Sequence, residues 1–335
     1  MADIKRILFL IVIILSFYLL YKLVQRRQQI LAAYEKETKT QEPFEVMPRI
    51  SPCMNMNLPL KEYAIMSSWN SATDESQQVT LDALDKVLRR GYRFIDLEIY
   101  SIDNKPNVSF STQKNFDSME STPLLFLDVC RRIILTGFST NNGQDPLFLH
   151  LRIKSASPII FEKLAEICIH ECSSRLYDGE VTKDTILSEL QGKLVIIVDR
   201  NYYPLSETYT CKDTCKTDFK SIINMYSGTP ELESMSFLQK LEQPTNPLQK
   251  TKTGFTNVKK VSMVIHNMGS LHVEGNGSEF YALLKNYSIQ IFPQKVYYRD
   301  ANLNLYEDFF VNNGHRAFVP MSIAFSFINN EIGLD

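Results

Sequence analysis

Net charge is the first thing this 335-residue sequence lacks. Thirty-six Lys and Arg stand against 38 Asp and Glu, giving -2 at pH 7. No broad basic field exists to gather a polyanion, which argues against a nucleic-acid partner. Cysteine is thin: six in a chain this long make no disulfide framework. Glycine (12) and proline (14) are too sparse for a collagen-like or low-complexity chain. Tryptophan is limited to Trp69. What remains, 44% hydrophobic and 22% charged residues, suits a globular protein of two ordinary domains or one large α/β domain.

One long apolar run is present. Residues 7–21 read ILFLIVIILSFYLLY, and Lys22 can snorkel, which extends the run to Val24. As a helix, about 18 residues rise ~27 Å, enough to span a bilayer. Lys5 and Arg6 precede the run; Lys22, Arg26 and Arg27 follow it. The pattern predicts a single transmembrane anchor over residues 1–28 rather than a cleaved signal peptide. The downstream positive charge leans the rest of the chain towards the cytoplasmic side. Residues 29–58, polar and then rich in Pro and Met, read as a stalk. Three Asn-x-Ser sequons begin at Asn107, Asn276 and Asn286 and matter only in a secretory lumen.

From residue 59 to 335, short β-rich runs alternate with helical patterns. Strands are predicted at Glu62–Ser67, Arg93–Tyr100, Pro106–Ser111, Pro146–Lys154, Lys193–Arg200, Lys260–His266, Ser288–Pro293 and Ser322–Phe327. Thr80 is placed to cap a helix that Gly91 ends. Eight strands alternating with helices predict an α/β fold, specifically a closed (β/α)8 TIM-type barrel, with an open doubly wound sheet as the alternative. Residues 201–258, rich in Thr, Lys, Ser and Pro, break the rhythm and read as an insertion.

In such a barrel, chemistry sits at the C-terminal ends of the strands. Those ends carry Ser67-Ser68-Trp69-Asn70-Ser71, then Asp96-Leu97-Glu98, then Val108-Ser109-Phe110-Ser111, then His150-Leu151-Arg152. Asp96 and Glu98 are two apart, so a strand points both to one side, where they need a metal, an arginine or a proton. His150 on an apolar strand reads first as a satisfied core histidine. His266 and His315 lie near strand ends and are spare acid–base candidates. Cys168 and Cys172, like Cys211 and Cys215, lack the spacing and the histidines of a zinc site.

Taken in order, these segments resemble phosphatidylinositol-specific phospholipase C in its X and Y halves. Ser67-Ser68-Trp69-Asn70-Ser71 is similar to the family's Ser-Ser-His-Asn-Thr. Gly91-Tyr92-Arg93 followed by Asp96-Leu97-Glu98 matches its Gly-x-Arg and acid-x-acid signature. Pro106 to Ser111 resembles Pro-x-Val-x-His-Gly, and Pro146 to Lys154 resembles the strand Pro-x-x-x-Ser-x-Glu-Asn-His. Looser likeness follows in Ile291-Phe292-Pro293, Arg299 to Asn302 and Asn313-Gly314.

The resemblance implies a phosphodiesterase barrel with two catalytic histidines and a calcium ion. This chain departs from both. Trp69 and Phe110 stand at the histidine positions, and neither ring transfers a proton near neutrality. Asn70, Asp96 and Glu98 match three calcium ligands, but Arg152 replaces the fourth, so no metal or other cofactor is expected. Ile197 and Gln290 replace two phosphate-contacting residues. The expected protein is therefore a membrane-anchored, catalytically degenerate barrel. It would bind a phosphoinositide or other anionic ligand around Asn70, Arg93, Asp96, Glu98 and Arg152, or act structurally. One alternative is an active, calcium-independent phosphodiesterase using His150 or His266. Another is a membrane-attached structural protein of a large DNA virus, seated in the virion membrane. Oligomeric state is left open.

Overall fold

The computed structural model describes residues 50–331, apart from 112–118, 120, 156, 201–216, 252–254, 266–275 and 277–278, together with Tyr18 and Lys22. The anchor expected at Ile7–Val24 lies outside the described residues except for those two. Among the described residues, no helix is long and apolar enough to cross a membrane. The longest of these, Ile159–Cys172, has 14 residues. It rises about 21 Å, short of the ~30 Å hydrocarbon core, and it carries charges. The expectation of a single-pass protein, facing the cytoplasm or seated in a virion membrane, is corrected accordingly.

The first strands are β1 (Tyr63–Ile65) and β2 (Ser67–Ser68). Helix α1 (Leu81–Arg89) follows. It forms where the sequence predicts: the Ala83 amide donates to Thr80 Oγ1 at 3.1 Å, and Leu84, Val87 and Leu88 turn inward. Gly91 ends the turn at φ +92°, and a Cβ there would meet Ile50 Cβ at 2.5 Å. The chain then enters β3 (Phe94–Ile102), which pairs in parallel with β2 on one edge and with β6 (Leu147–Ile153) on the other.

The strand carrying Phe110 differs from expectation. β4 (Lys105–Ser109) is no parallel barrel strand but the antiparallel return of β3, with Glu98 opposite Ser109. Asp103 (φ +50°) and Asn104 (φ +59°) make the turn. Two left-handed residues suit a hairpin, whereas a parallel crossover needs a dozen or more. A two-residue strand, β5 (Leu124–Leu125), extends the hairpin and leads into α2 (Phe126–Arg132). The third helix, α3 (Ile159–Cys172), connects β6 to β7 (Leu194–Asp199).

From β6 the parallel order continues through β7, β8 (Met225–Ser227), β9 (Leu232–Ser236) and β10 (Val261–Ile265). Two of these strands, β8 and β9, fall within 201–258. Their brevity and the polar residues Glu233, Ser234 and Ser236 left no apolar run to read. Beyond β10, Ile291 makes isolated parallel bridges to both Met263 and Ile65. The helices α4 (Phe237–Leu241), α5 (Phe280–Tyr287) and α6 (Ala301–Asn312) precede β11 (Phe318–Pro320), which pairs antiparallel with β1. The predicted strand Ser322–Phe327 is helical instead, inside α7 (Met321–Glu331). Its buried residues Met321, Ala324 and Ile328 follow helical spacing. The fold is thus α/β with a mainly parallel sheet.

Candidate functional site

Period two on β3 and β6 builds the site. Asp96, Glu98 and Tyr100 share one face of β3, and His150, Arg152 and Lys154 share one face of the β6 segment. The register sets Asp96 against His150 and Glu98 against Arg152. Both carboxylates and the Arg152 guanidinium are 0–1% exposed. Isolated buried charges are very costly, so they must satisfy one another.

They do. Arg152 grips Asp96 with two bonds, Nε to Oδ1 at 2.9 Å and Nη2 to Oδ2 at 2.6 Å. Its Nη1 donates to Glu98 Oε1 at 2.5 Å, and Nη2 also reaches Asn70 Oδ1 at 2.5 Å. Trp69 lies over the guanidinium, 3.7 Å from ring centroid to Cζ. The other Glu98 oxygen takes Lys154 Nζ at 2.8 Å, the Tyr100 hydroxyl at 2.7 Å and the Ser111 amide at 3.0 Å. Burial alone would raise the Asp96 carboxyl. Arg152 and the His150 hydrogen bond outweigh burial and hold it below the usual carboxylate range. Burial, with Glu98 beside it, pushes the Tyr100 phenol up, so it donates as a neutral hydroxyl. Burial lowers the Lys154 ammonium despite its partner.

Asn70 sits at φ +43°, a left-handed turn that lets its own amide donate to Asp96 Oδ2 at 3.1 Å. Trp69 and Phe110 are both buried, at 5% and 6% exposure. This donor set does not fit a calcium ion. The guanidinium already takes the Asn70 carbonyl, both Asp96 oxygens and one Glu98 oxygen, and its positive charge would repel a second cation.

Arg93 is not brought to this cluster. It precedes β3 with the opposite parity and points to the loop after α2. There Nη1 donates to Gly137 O at 2.7 Å, and Nη2 to Thr140 Oγ1 at 2.6 Å and Asn142 Oδ1 at 2.5 Å. His150 joins the cluster: Nδ1 lies 2.7 Å from Asp96 Oδ1 and Nε2 2.9 Å from Ser227 Oγ. His266 lies outside the described residues. His315 occupies a left-handed turn before β11, where its carbonyl accepts from the Ser51 amide. Ile197 is a buried β7 residue opposite His150. Gln290 ties strands together, donating to Lys61 O and Lys260 O. Cys130, Cys168 and Cys172 are buried free thiols. Among the described residues no His, Cys, Asp and Glu group could hold a metal.

Sequence reasoning missed Tyr100, Lys154, Asp199, Ser227 and Tyr297. The first two were findable, since each is two residues beyond a named partner on the same strand face. Tyr297, which hydrogen-bonds Asn70 and is raised chiefly by burial, comes from a segment with no strand pattern. Ser227 and Asp199 meet only through the β7–β8 register, which the sequence did not reveal.

The site combines an acid-x-acid pair on β3, an asparagine turn beside it and an antiparallel hairpin behind, in a fold like that of the phosphatidylinositol-specific phospholipases C. Residues 56–200 match the family model described as phosphatidylinositol-specific phospholipase C, X domain. Among solved structures, L. pealei PLC21 superposes with a TM-score of 0.60 at 16% identity, covering 82% of this chain and 39% of that one. S. officinalis PLC21 gives 0.60 at 15% identity, covering 83% and 39%. The chain thus spans well under half the length of these two proteins. A calcium-dependent phosphoinositol-specific phospholipase C from Pseudomonas sp. gives 0.50 at 11% identity, covering 82% of this chain and all of that one. A search of curated proteins found no match.

Proposed function

We propose that this phospholipase C-like domain does not cleave phosphodiesters, and that it acts by binding inositol-phospholipid headgroups or as a structural component. One observation carries the reading. The Arg152 side chain, under Trp69, occupies the ligands that would hold a divalent cation and leaves none of them free. The positions of both family histidines hold buried, non-titrating rings, Trp69 and Phe110. Losing general acid–base catalysis typically removes about 10²–10⁴-fold per group. The two bridges of Ile291 support reading the sheet as a closed barrel around this cluster. The test is release of inositol phosphate from phosphatidylinositol vesicles by the full chain, with and without calcium. No release above the protein-free blank is expected. Sustained release that His150→Ala abolishes would support the alternative of a rearranged, calcium-independent phosphodiesterase. Sedimentation with those vesicles, compared with neutral ones, tests headgroup binding.

A further inference from the structure

Three buried side chains stand in an order that neither the family's histidines nor the ion cluster requires. Ser227 Oγ lies 2.9 Å from His150 Nε2, and His150 Nδ1 lies 2.7 Å from Asp96 Oδ1. A carboxylate at Nδ1 keeps the ring proton there and leaves the Nε2 lone pair facing the hydroxyl. The carboxylate is itself held. Arg152 Nε and Nη2 take one Asp96 oxygen each, and the Asn70 amide takes Oδ2. The Phe94 ring, with its centroid 5.4 Å away, packs against the imidazole. Nucleophile, base and orienting acid therefore follow one another at hydrogen-bond distance, each fixed by packing.

The position on the fold agrees. Ser227 is the last residue of β8, at the C-terminal end of a parallel strand, where this architecture places its chemistry. Gly228 follows at φ +81°, so the chain turns sharply straight after the serine. A bond network serving packing alone has no need of this order of groups, and apolar side chains would fill the same volume at lower cost.

We propose that Ser227, His150 and Asp96 form a nucleophilic relay, with Ser227 Oγ as the acyl acceptor for an uncharged carboxylic ester. Charge selects that class. Asp199 Oδ2 lies 3.8 Å from His150 Nε2, the nitrogen that faces Ser227. It opposes a phosphate anion and stabilises the imidazolium that forms. The nearby cations are already committed, Arg152 to Asp96 and Glu98 and Lys154 to Glu98. In the first step Ser227 Oγ bonds to the ester carbonyl carbon while its proton passes to His150 Nε2. The carbon–oxygen bond to the leaving alcohol then breaks, and that alkoxide takes the proton back from His150. Water next attacks the acyl-serine and gives one proton to His150, which returns it to Ser227 Oγ as the carboxylic acid departs. The amides of Gly228 and Thr229 are bonded to Leu232 O, so neither serves the oxyanion. Acylation and deacylation both pass through an oxyanion, so both are slow, each missing donor costing about 10²–10³-fold, and only a reactive, activated ester acylates Ser227 readily.

Ser227, His150 and Asp96 are all 0% exposed, so the probe must be small. The full chain is treated with diisopropyl fluorophosphate, and the adduct is weighed and mapped by mass spectrometry. One adduct per chain on Ser227 is expected. Ser227→Ala should abolish it, and His150→Gln should slow it by about 100-fold or more. Thermal unfolding of each variant is followed in parallel. No adduct on folded wild-type protein would overturn the relay, as would an adduct elsewhere or an unchanged rate in folded His150→Gln. Mapping on the wild type alone decides the matter if a variant fails to fold. The outcome is independent of phosphatidylinositol cleavage, which a separate assay reads.

Discussion

Arg93 and Arg152 are both completely buried, yet they live in opposite surroundings. Arg152 faces two carboxylates, an amide oxygen and an indole. Arg93, on the other side of the sheet, is caged by a carbonyl, a hydroxyl and an amide oxygen. Burial pulls its guanidinium down to about 10, with Asp145 acting against that shift. The outer arginine clamps a loop. The inner one is a fixed positive charge, held where the family resemblance places a metal. The same residue type thus clamps a loop on one face and holds a buried pair of carboxylates on the other.

The largest effect is expected from removing the inner charge. Arg152→Ala leaves Asp96 and Glu98 buried together, with Lys154 the remaining full cation beside them, and should destabilise by about 3–5 kcal/mol. Equilibrium denaturation in urea measures it. Arg152→Lys should not restore stability fully, because an ammonium cannot make the two-pronged contact with Asp96.

Arg93→Met should cost less, roughly 2–4 kcal/mol, since its lost partners are neutral oxygens that other groups partly satisfy. A loss equal to that of Arg152→Ala would erase the distinction between clamp and fixed charge. The same denaturation series decides it.

Acidity separates the two faces further. Asp96 is depressed, so its stabilising contribution is complete above the ordinary carboxylate value near 4 and is lost as pH falls below it. Asp145, near Arg93, behaves in reverse. Burial pushes its carboxyl up to about 6, and the Cys53 amide bond on Oδ1 only partly offsets this. Between about pH 4 and 6 the folded protein keeps a proton that the unfolded chain has released, so stability falls as pH rises through that window. Asp145→Asn should remove this slope and gain about 2–3 kcal/mol at pH 7, read from unfolding curves at pH 4, 5, 6 and 7. A slope that survives the substitution would assign the titration elsewhere.

The smallest effect belongs to the helix entrance. Thr80→Ala removes the bond to the Ala83 amide and should cost about 1 kcal/mol, visible as a lower Tm with the site untouched.

Much of this was legible in the sequence, and the exceptions have physical causes. The acid-x-acid pair and the arginine opposite it are local patterns on β3 and β6 that period two aims, and the two aromatic replacements directly follow β2 and β4. The same rule should have removed Arg93 from the pocket, because it is three residues from Asp96 and so on the other face. The hairpin was misread because Pro106 to Ser109 is as β-rich as any parallel strand; only the Asp103-Asn104 turn betrays its direction. Strands β8 and β9 were lost among polar residues whose strand character comes from pairing with β7 and β10, not from propensity. Ser322 to Phe327 reads as a strand in sequence because a short apolar run does not distinguish the two periods. The anchor inferred from Ile7 to Val24 rests on an apolar run and its basic flanks, and among the described residues no helix is long and apolar enough to cross a membrane.

The central claim is that a guanidinium permanently takes the place of a divalent cation at Asp96, Glu98 and Asn70. Calorimetric titration of calcium into the full chain tests it most directly, with Glu98→Gln titrated beside the wild type. The account predicts no saturable heat from either protein up to millimolar calcium. A one-to-one binding isotherm for the wild type that disappears in Glu98→Gln would contradict it.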